Sequence, residues 1–163
     1  MKQKSRQLAE GAATAALYIA LTALTRPVAF GPLQLRLSEA LTVLPVFSAG
    51  TVWGLGTGCF LSSLLMGAAL PDLIFGTAAT LLGAFGTRLL KKYRFLPVLP
   101  PILANLLILP PVFARAYGMD KAIGLLALEI GASECLSAGA GGLLLAGLCR
   151  KYRQHIFGDQ DHA

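Results

Sequence analysis

Charge is what this sequence has least of. Only 13% of its 163 residues are Asp, Glu, Lys or Arg, about half the share found in an ordinary soluble domain. Hydrophobic residues make up 55% and the mean hydropathy is +0.66. A chain with so few polar side chains cannot cover a water-facing surface, so an ordinary soluble domain is excluded and a membrane protein is expected. Cysteine is also scarce: Cys59, Cys135 and Cys149 are odd in number, fall in apolar segments and show no CxxC or Cys/His spacing. Neither a disulfide framework nor a metal site is indicated, and the three are read as packing residues. There is no GxxxxGK[ST] phosphate loop and no nucleophile beside a base at motif spacing, so no enzymatic activity and no ATPase of its own is expected. No cofactor is expected either.

What is present is a series of apolar blocks, each about as long as a bilayer crossing requires. Six helices are predicted, over about residues 8–25, 38–48, 51–66, 72–90, 97–117 and 122–148,. The fold class is therefore an all-α membrane protein, a single-domain bundle of six transmembrane helices with kinked or broken members. The second helix is short and cut by Pro45, and Pro110-Pro111 should kink the fifth,. The net charge of +6 would suggest nucleic acid in a soluble protein, but here the basic residues cluster at block ends. Ten of the fourteen, Lys2, Lys4, Arg6, Arg88, Lys91, Lys92, Arg94, Arg150, Lys151 and Arg153, fall on the side that holds both termini. The positive-inside rule puts that side in the cytoplasm. Lys2, Lys4 and Arg6 before an apolar run mimic a signal peptide, but the chain stays apolar almost to its end and cleavage is not expected,.

Two patterns of small residues mark helix contacts. Ala12, Ala16 and Ala20 repeat every four residues on the first helix, as do Gly50, Gly54 and Gly58 around the third. Such faces let another helix approach closely. The glycine face is read as internal; the alanine face fits either a neighbour in the chain or a partner protein.

Polar residues inside apolar blocks carry the functional reading, because an intramembrane carboxylate is costly unless it is paired or faces a wet cavity. The stretch from Phe30 to Pro45 places Arg36 and Glu39 at the mouth and first turn of the second helix, where the dipole favours a carboxylate. They could pair locally at i, i+3. Asp72 follows Pro71 at the start of the fourth helix and could be a helix-start residue; Asn105 lies mid-way along the fifth. Glu129 and Glu134 interrupt the apolar sixth helix. Five positions separate them, about 140° around the axis, so both cannot point to the centre of one narrow pocket. Together Arg36, Glu39, Asp72, Asn105, Glu129 and Glu134 make a candidate binding site for a small, flat, polar solute. A desolvated carboxylate suits two adjacent N–H donors or an ammonium group, and an amide both donates and accepts. The alternative is that these charges pair with one another around a kinked bundle.

The run from Phe30 to Pro45, then Pro71 to Thr80, the mid-helix Asn105 and Ser133-Glu134-Cys135 resemble, in order and spacing, the QueT-type queuosine-precursor transporters. These are substrate-binding S components of energy-coupling factor (ECF) transporters, and the resemblance covers nearly the whole chain. It implies a six-helix S component that captures a 7-deazaguanine or related base on its outer face, with the loop between the first two helices closing over it. It implies as partners a coupling transmembrane subunit and two ABC ATPases, and toppling in the membrane to deliver the solute. The alanine face of Ala12, Ala16 and Ala20 resembles the surface that docks the coupling subunit. Ser62-Ser63 stands where members often carry an amide, and Pro110-Pro111 interrupts a fifth helix that is regular elsewhere, so no contact is assigned to either place. Rival readings are an S component for another vitamin, a membrane enzyme acting on a lipid head group, and an assembly subunit without ligand.

Overall fold

The computed structural model describes residues 2–29, 35–116, 118 and 122–152. The lip residues Phe30 to Gln34, Tyr117, Met119 to Lys121 and the tail from Arg153, with His155 and His162, lie outside the described residues. The expected closure of the first loop falls largely on them.

Among the described residues every regular element is helical. Helix α1 (Lys2–Leu24) is followed by the single turn α2 (Arg26–Ala29) and a 3-10 helix, Leu37–Val46. Then comes α3 (Gly50–Leu65), a π-helical segment Asp72–Gly76 that runs into α4 (Thr77–Leu89), and a 3-10 turn Leu96–Val98 that leads into α5 (Leu99–Ala116). A final helical run consists of α6 (Ile123–Glu134), a π-helical segment Cys135–Gly141 and α7 (Gly142–Lys151). Three runs are long and apolar enough to cross a membrane: Gln3–Leu24, Leu96–Ala116 and Ile123–Lys151. Leu37–Val46 and Gly50–Leu65 are apolar but shorter.

The glycine face packs inside the chain. A Cβ placed on Gly50 would lie 2.1 Å from the Gln7 carbonyl oxygen, and one on Gly54 would lie 2.3 Å from that of Gly11. Helices α1 and α3 therefore touch backbone to backbone, which no larger residue at these two positions would permit. The inward side of α1 carries Gly11, Thr14, Tyr18 and Thr22, all buried, while Ala12, Ala16 and Ala20 are exposed on the other side. Among the described residues, nothing covers the alanine face.

The second predicted helix, expected to be short and cut by Pro45, is not α-helical. It forms a ten-residue 3-10 helix, whereas such helices rarely exceed about four residues. Tertiary burial sustains it: Ser38, Glu39, Leu41, Thr42, Val43, Leu44 and Pro45 are all buried. It is packed among α1, α3, α4, α7 and the Cys135–Gly141 segment. Its last carbonyls, which a helix end leaves without intrahelical donors, are met by the Arg88 guanidinium at 2.9 Å (Pro45 O) and 3.4 Å (Val46 O). Arg88, expected as one of the basic anchors at a helix end, thus caps the central element. Helix α5 continues through Pro110-Pro111 without a break. The departures from α-helical geometry fall instead on the two π segments, one beginning at Asp72 and the other just after Glu134. Widened turns of this kind recur at functional sites.

Candidate functional site

Glu39 is the centre of the buried polar groups, with 1% of its surface exposed. The 3-10 helix places it on the inner face, where two other elements reach it. Tyr18 of α1 donates its hydroxyl to Glu39 Oε1 at 2.5 Å, and Thr80 of α4 donates to the same oxygen at 3.3 Å. Thr80 also lies 3.5 Å from the Cys59 sulfur of α3, and Thr22 donates to Ser38 at 2.9 Å. Four segments distant in sequence are joined by these contacts.

Arg36 precedes the 3-10 helix and turns toward Asp72 rather than pairing with Glu39 alone: Nη2 stands 3.4 Å from Asp72 Oδ1, with both side chains buried. A Cβ on Gly76 would come 3.4 Å from Arg36 Nη1, so the π-helical turn leaves just enough room for the guanidinium. Asp72 is thus more than a helix-start residue.

Glu134 and Asn105 complete the cluster. Both are 3% exposed, and their side chains share a hydrogen bond. Glu134 lies near enough to Glu39 and Arg36 for their charges to act on it. The 3-10 helix, the start of α4, the middle of α5 and the end of α6 therefore bring Arg36, Glu39, Asp72, Asn105 and Glu134 together. Glu129, half-buried one and a half turns earlier on α6, is not one of the groups acting on Glu134. The angular separation of the two glutamates accounts for this division.

Among the described residues, Glu39 Oε2 and Glu134 Oε2 are buried without a hydrogen-bond partner. Buried polar atoms are nearly always satisfied, so two unmet carboxylate oxygens in one cluster need an explanation. A cavity of about 660 Å³, lined by Arg26, Pro27, Met66, Gly67, Ala68, Ala69 and Asp72, reaches the cluster at Asp72. Arg26 donates to the Met66 carbonyl across its rim at 3.2 Å. Of the cluster, Asp72, the partner of Arg36, is the residue that lines this space. Among the described residues no group of three or more His, Cys, Asp or Glu is arranged to hold a metal ion.

Several members of the cluster were not singled out from the sequence. Tyr18 and Thr22 continue a stripe with Thr14 at spacing four along α1, a polar ridge opposite the alanines that was a readable signal. Thr80 and Cys59 had none, since one threonine or cysteine in an apolar helix commonly bonds its own helix or packs. Ser62, Ser133 and Ser137 do the former, donating to Cys59 O, Ile130 O and Ser133 O at 3.0, 2.9 and 2.8 Å.

No curated protein and no solved structure matches the chain significantly. The family model described as QueT transporter matches residues 8–151, a span that includes α3 to α6, the 3-10 helix and every side chain of the cluster. Three helical runs are long and apolar enough to cross a membrane, and with a match over most of its length the chain belongs to the QueT transporter family.

Proposed function

We propose that this chain is the substrate-binding S component of an ECF importer for a queuosine precursor, a 7-deazaguanine base or its queuine or nucleoside form. The observation that carries the reading is the pair of unmet carboxylate oxygens, Glu39 Oε2 and Glu134 Oε2, buried in one cluster. The pyrimidine edge of a guanine-like base offers adjacent N–H donors, and a carboxylate held away from water accepts both through short, charge-assisted bonds. Asn105 both donates and accepts, and Asp72, paired with Arg36, lines the cavity. Glu129 takes a secondary place at most, since it stands apart from the Glu134 contacts. Family membership supports membrane transport, and the partner ATPases supply the energy that this chain has no motif to supply.

The exposed alanines Ala12, Ala16 and Ala20 are the docking face for the coupling subunit. A helix can approach this face closely, and among the described residues nothing covers it. With both termini cytoplasmic, the cavity opens outward.

Calorimetry on protein purified in detergent tests the reading. Saturable binding of 7-deazaguanine-type bases is expected, with Glu134→Gln weakening it by about 1.5–3 kcal/mol, the size of a lost hydrogen bond to a charged group. Unchanged affinity in a folded variant would remove Glu134 from the site. Binding of an unrelated vitamin, with none of the bases, would replace the substrate assignment.

A further inference from the structure

Two basic runs far apart in the chain meet in space. Arg150, near the end of α7, donates to the Arg94 carbonyl in the connection between α4 and α5 at 3.1 Å, a bond between residues 56 positions apart. Lys91, Lys92, Arg94, Arg150 and Lys151 are thereby gathered at one end of the bundle, all of them exposed. No acidic residue accompanies them in sequence: there is no Asp or Glu between Asp72 and Asp120, and none from Cys135 to Gly158. Among the described residues none of the five takes part in an ion pair. Two helix C-termini end here, and the macrodipole of each asks for about half a positive charge, so roughly four of the five charges are surplus. Arg88 is not counted, because it already caps the 3-10 helix.

The positive-inside rule accounts for how many cations lie on a side, but not for the convergence of two runs, nor for what surrounds them. Tyr93, Phe95 and Tyr152 are exposed among the cations. Arg94 lies over the Phe95 ring at 5.5 Å and Lys151 over that of Tyr152 at 5.6 Å, and tyrosine favours the depth of the lipid headgroups. The border of the apolar spans falls at the same place, since one begins at Leu96 and another ends at Lys151. Beyond it Leu89, Leu99 and Leu148 stand exposed. A soluble acidic partner would match the cations alone. A phospholipid matches both surfaces, with a negative headgroup joined to apolar chains, and guanidinium groups suit its phosphate. The Arg150 bond to the Arg94 carbonyl uses one N–H of a group that has five,.

We propose that the ends of α4 and α7, with the connection into α5, form a binding site for an anionic phospholipid. Arg94, Arg150 and Lys151 hold the phosphate, Lys91 and Lys92 add the field that favours a net negative headgroup, and the acyl chains lie along the exposed leucines. A zwitterionic lipid brings the same phosphate, but its ammonium is repelled by these cations and its net charge is zero. The site shares no residue with the buried polar cluster or with the alanine face.

The test is native mass spectrometry of the full-length protein in detergent with an equal mixture of dioleoylphosphatidylglycerol and dioleoylphosphatidylcholine. The two lipids share acyl chains and a phosphate and differ in net charge. The anionic lipid is expected to bind in at least about tenfold preference, given a gain of about fivefold for each basic residue near an anionic surface. Lys91→Gln with Lys92→Gln should lower that preference at least about fivefold. Lys2→Gln with Lys4→Gln removes as many charges from the start of α1 and should lower it less than about twofold. Equal binding of the two lipids by the unaltered protein, which is measured first and does not depend on any variant folding, would overturn the lipid site. Equal losses in the two double variants would overturn it as well, by showing a diffuse surface charge. Should the lipids bind equally while Lys91→Gln with Lys92→Gln loses assembly with the coupling subunit, the patch would belong to a protein contact. Each of these results leaves the transport reading standing.

Discussion

Glu10 and the Glu39–Glu134 pair are the same residue type on the same apolar scaffold, and they are treated in opposite ways. Glu10, near the start of α1, receives the Arg6 guanidinium on one oxygen at 2.9 Å and the Ser48 hydroxyl on the other. Ser48 in turn accepts from the Gly50 amide at 3.2 Å. That carboxylate is complete: it has a cation and a donor for each oxygen, and it ties α1 to the entrance of α3. Glu39 and Glu134 are more deeply buried, yet each has an oxygen left over and neutral donors on the other. Desolvation makes an incomplete carboxylate costlier the deeper it lies. The deficit is therefore placed where it costs most, which is expected of a site completed by a guest and not of a strut.

Separating binding from folding for these carboxylates would break or sharpen the contrast. The largest effect should come from replacing both site carboxylates: the Glu39→Gln and Glu134→Gln double variant is expected to lose ligand binding by more than about 3 kcal/mol, beyond the loss for one charge-assisted bond. Calorimetry that still finds a tight complex would mean the ligand sits elsewhere. Next comes Tyr18→Phe, which removes the donor 2.5 Å from Glu39. It should weaken binding by about 1 kcal/mol or somewhat more, because Glu39 loses the group that orients it. A variant that unfolds while binding normally until it does so would reassign Tyr18 to structure.

Glu10→Gln should show the reverse pattern. Arg6 is 39% exposed, so solvent screens the pair and the expected loss of stability is only about 0.5–1 kcal/mol. Ligand affinity should not move, and a clear drop in it would erase the distinction between the two kinds of carboxylate. Smallest of all in the isolated protein should be Ala16→Leu, on the exposed side of α1. Neither thermal midpoint nor ligand affinity should change, while co-purification with the coupling subunit should fall; intact assembly would move the docking surface to another face.

Much of this was legible in the chain. The glycine spacing around α3 predicted a close internal contact, and the backbone approach at Gly50 and Gly54 is that contact. Acidic and amide residues within apolar blocks marked Glu39, Asn105 and Glu134 as requiring partners, because the bilayer offers none. The helical angle between Glu129 and Glu134 already said that one of them would stand apart. The 3-10 geometry of Leu37–Val46 was not legible, since isolated segments of that length prefer other conformations and the burial that sustains it is tertiary. Nor was the continuity of α5, because two prolines predict a disturbance whose form depends on neighbours.

Composition and periodicity by themselves determined that the chain is helical and made for a membrane, which helix faces are smooth, and which ionisable groups would be stranded in apolar surroundings. These are local properties, fixed by side-chain chemistry and by 3.6 residues per turn. Only the tertiary structure decided that Arg36 turns to Asp72, that Tyr18 and Thr80 meet at Glu39, and that Glu134 with Asn105 joins them. Those meetings depend on the depth and rotation of helices far apart in sequence, quantities set by how whole faces fit together.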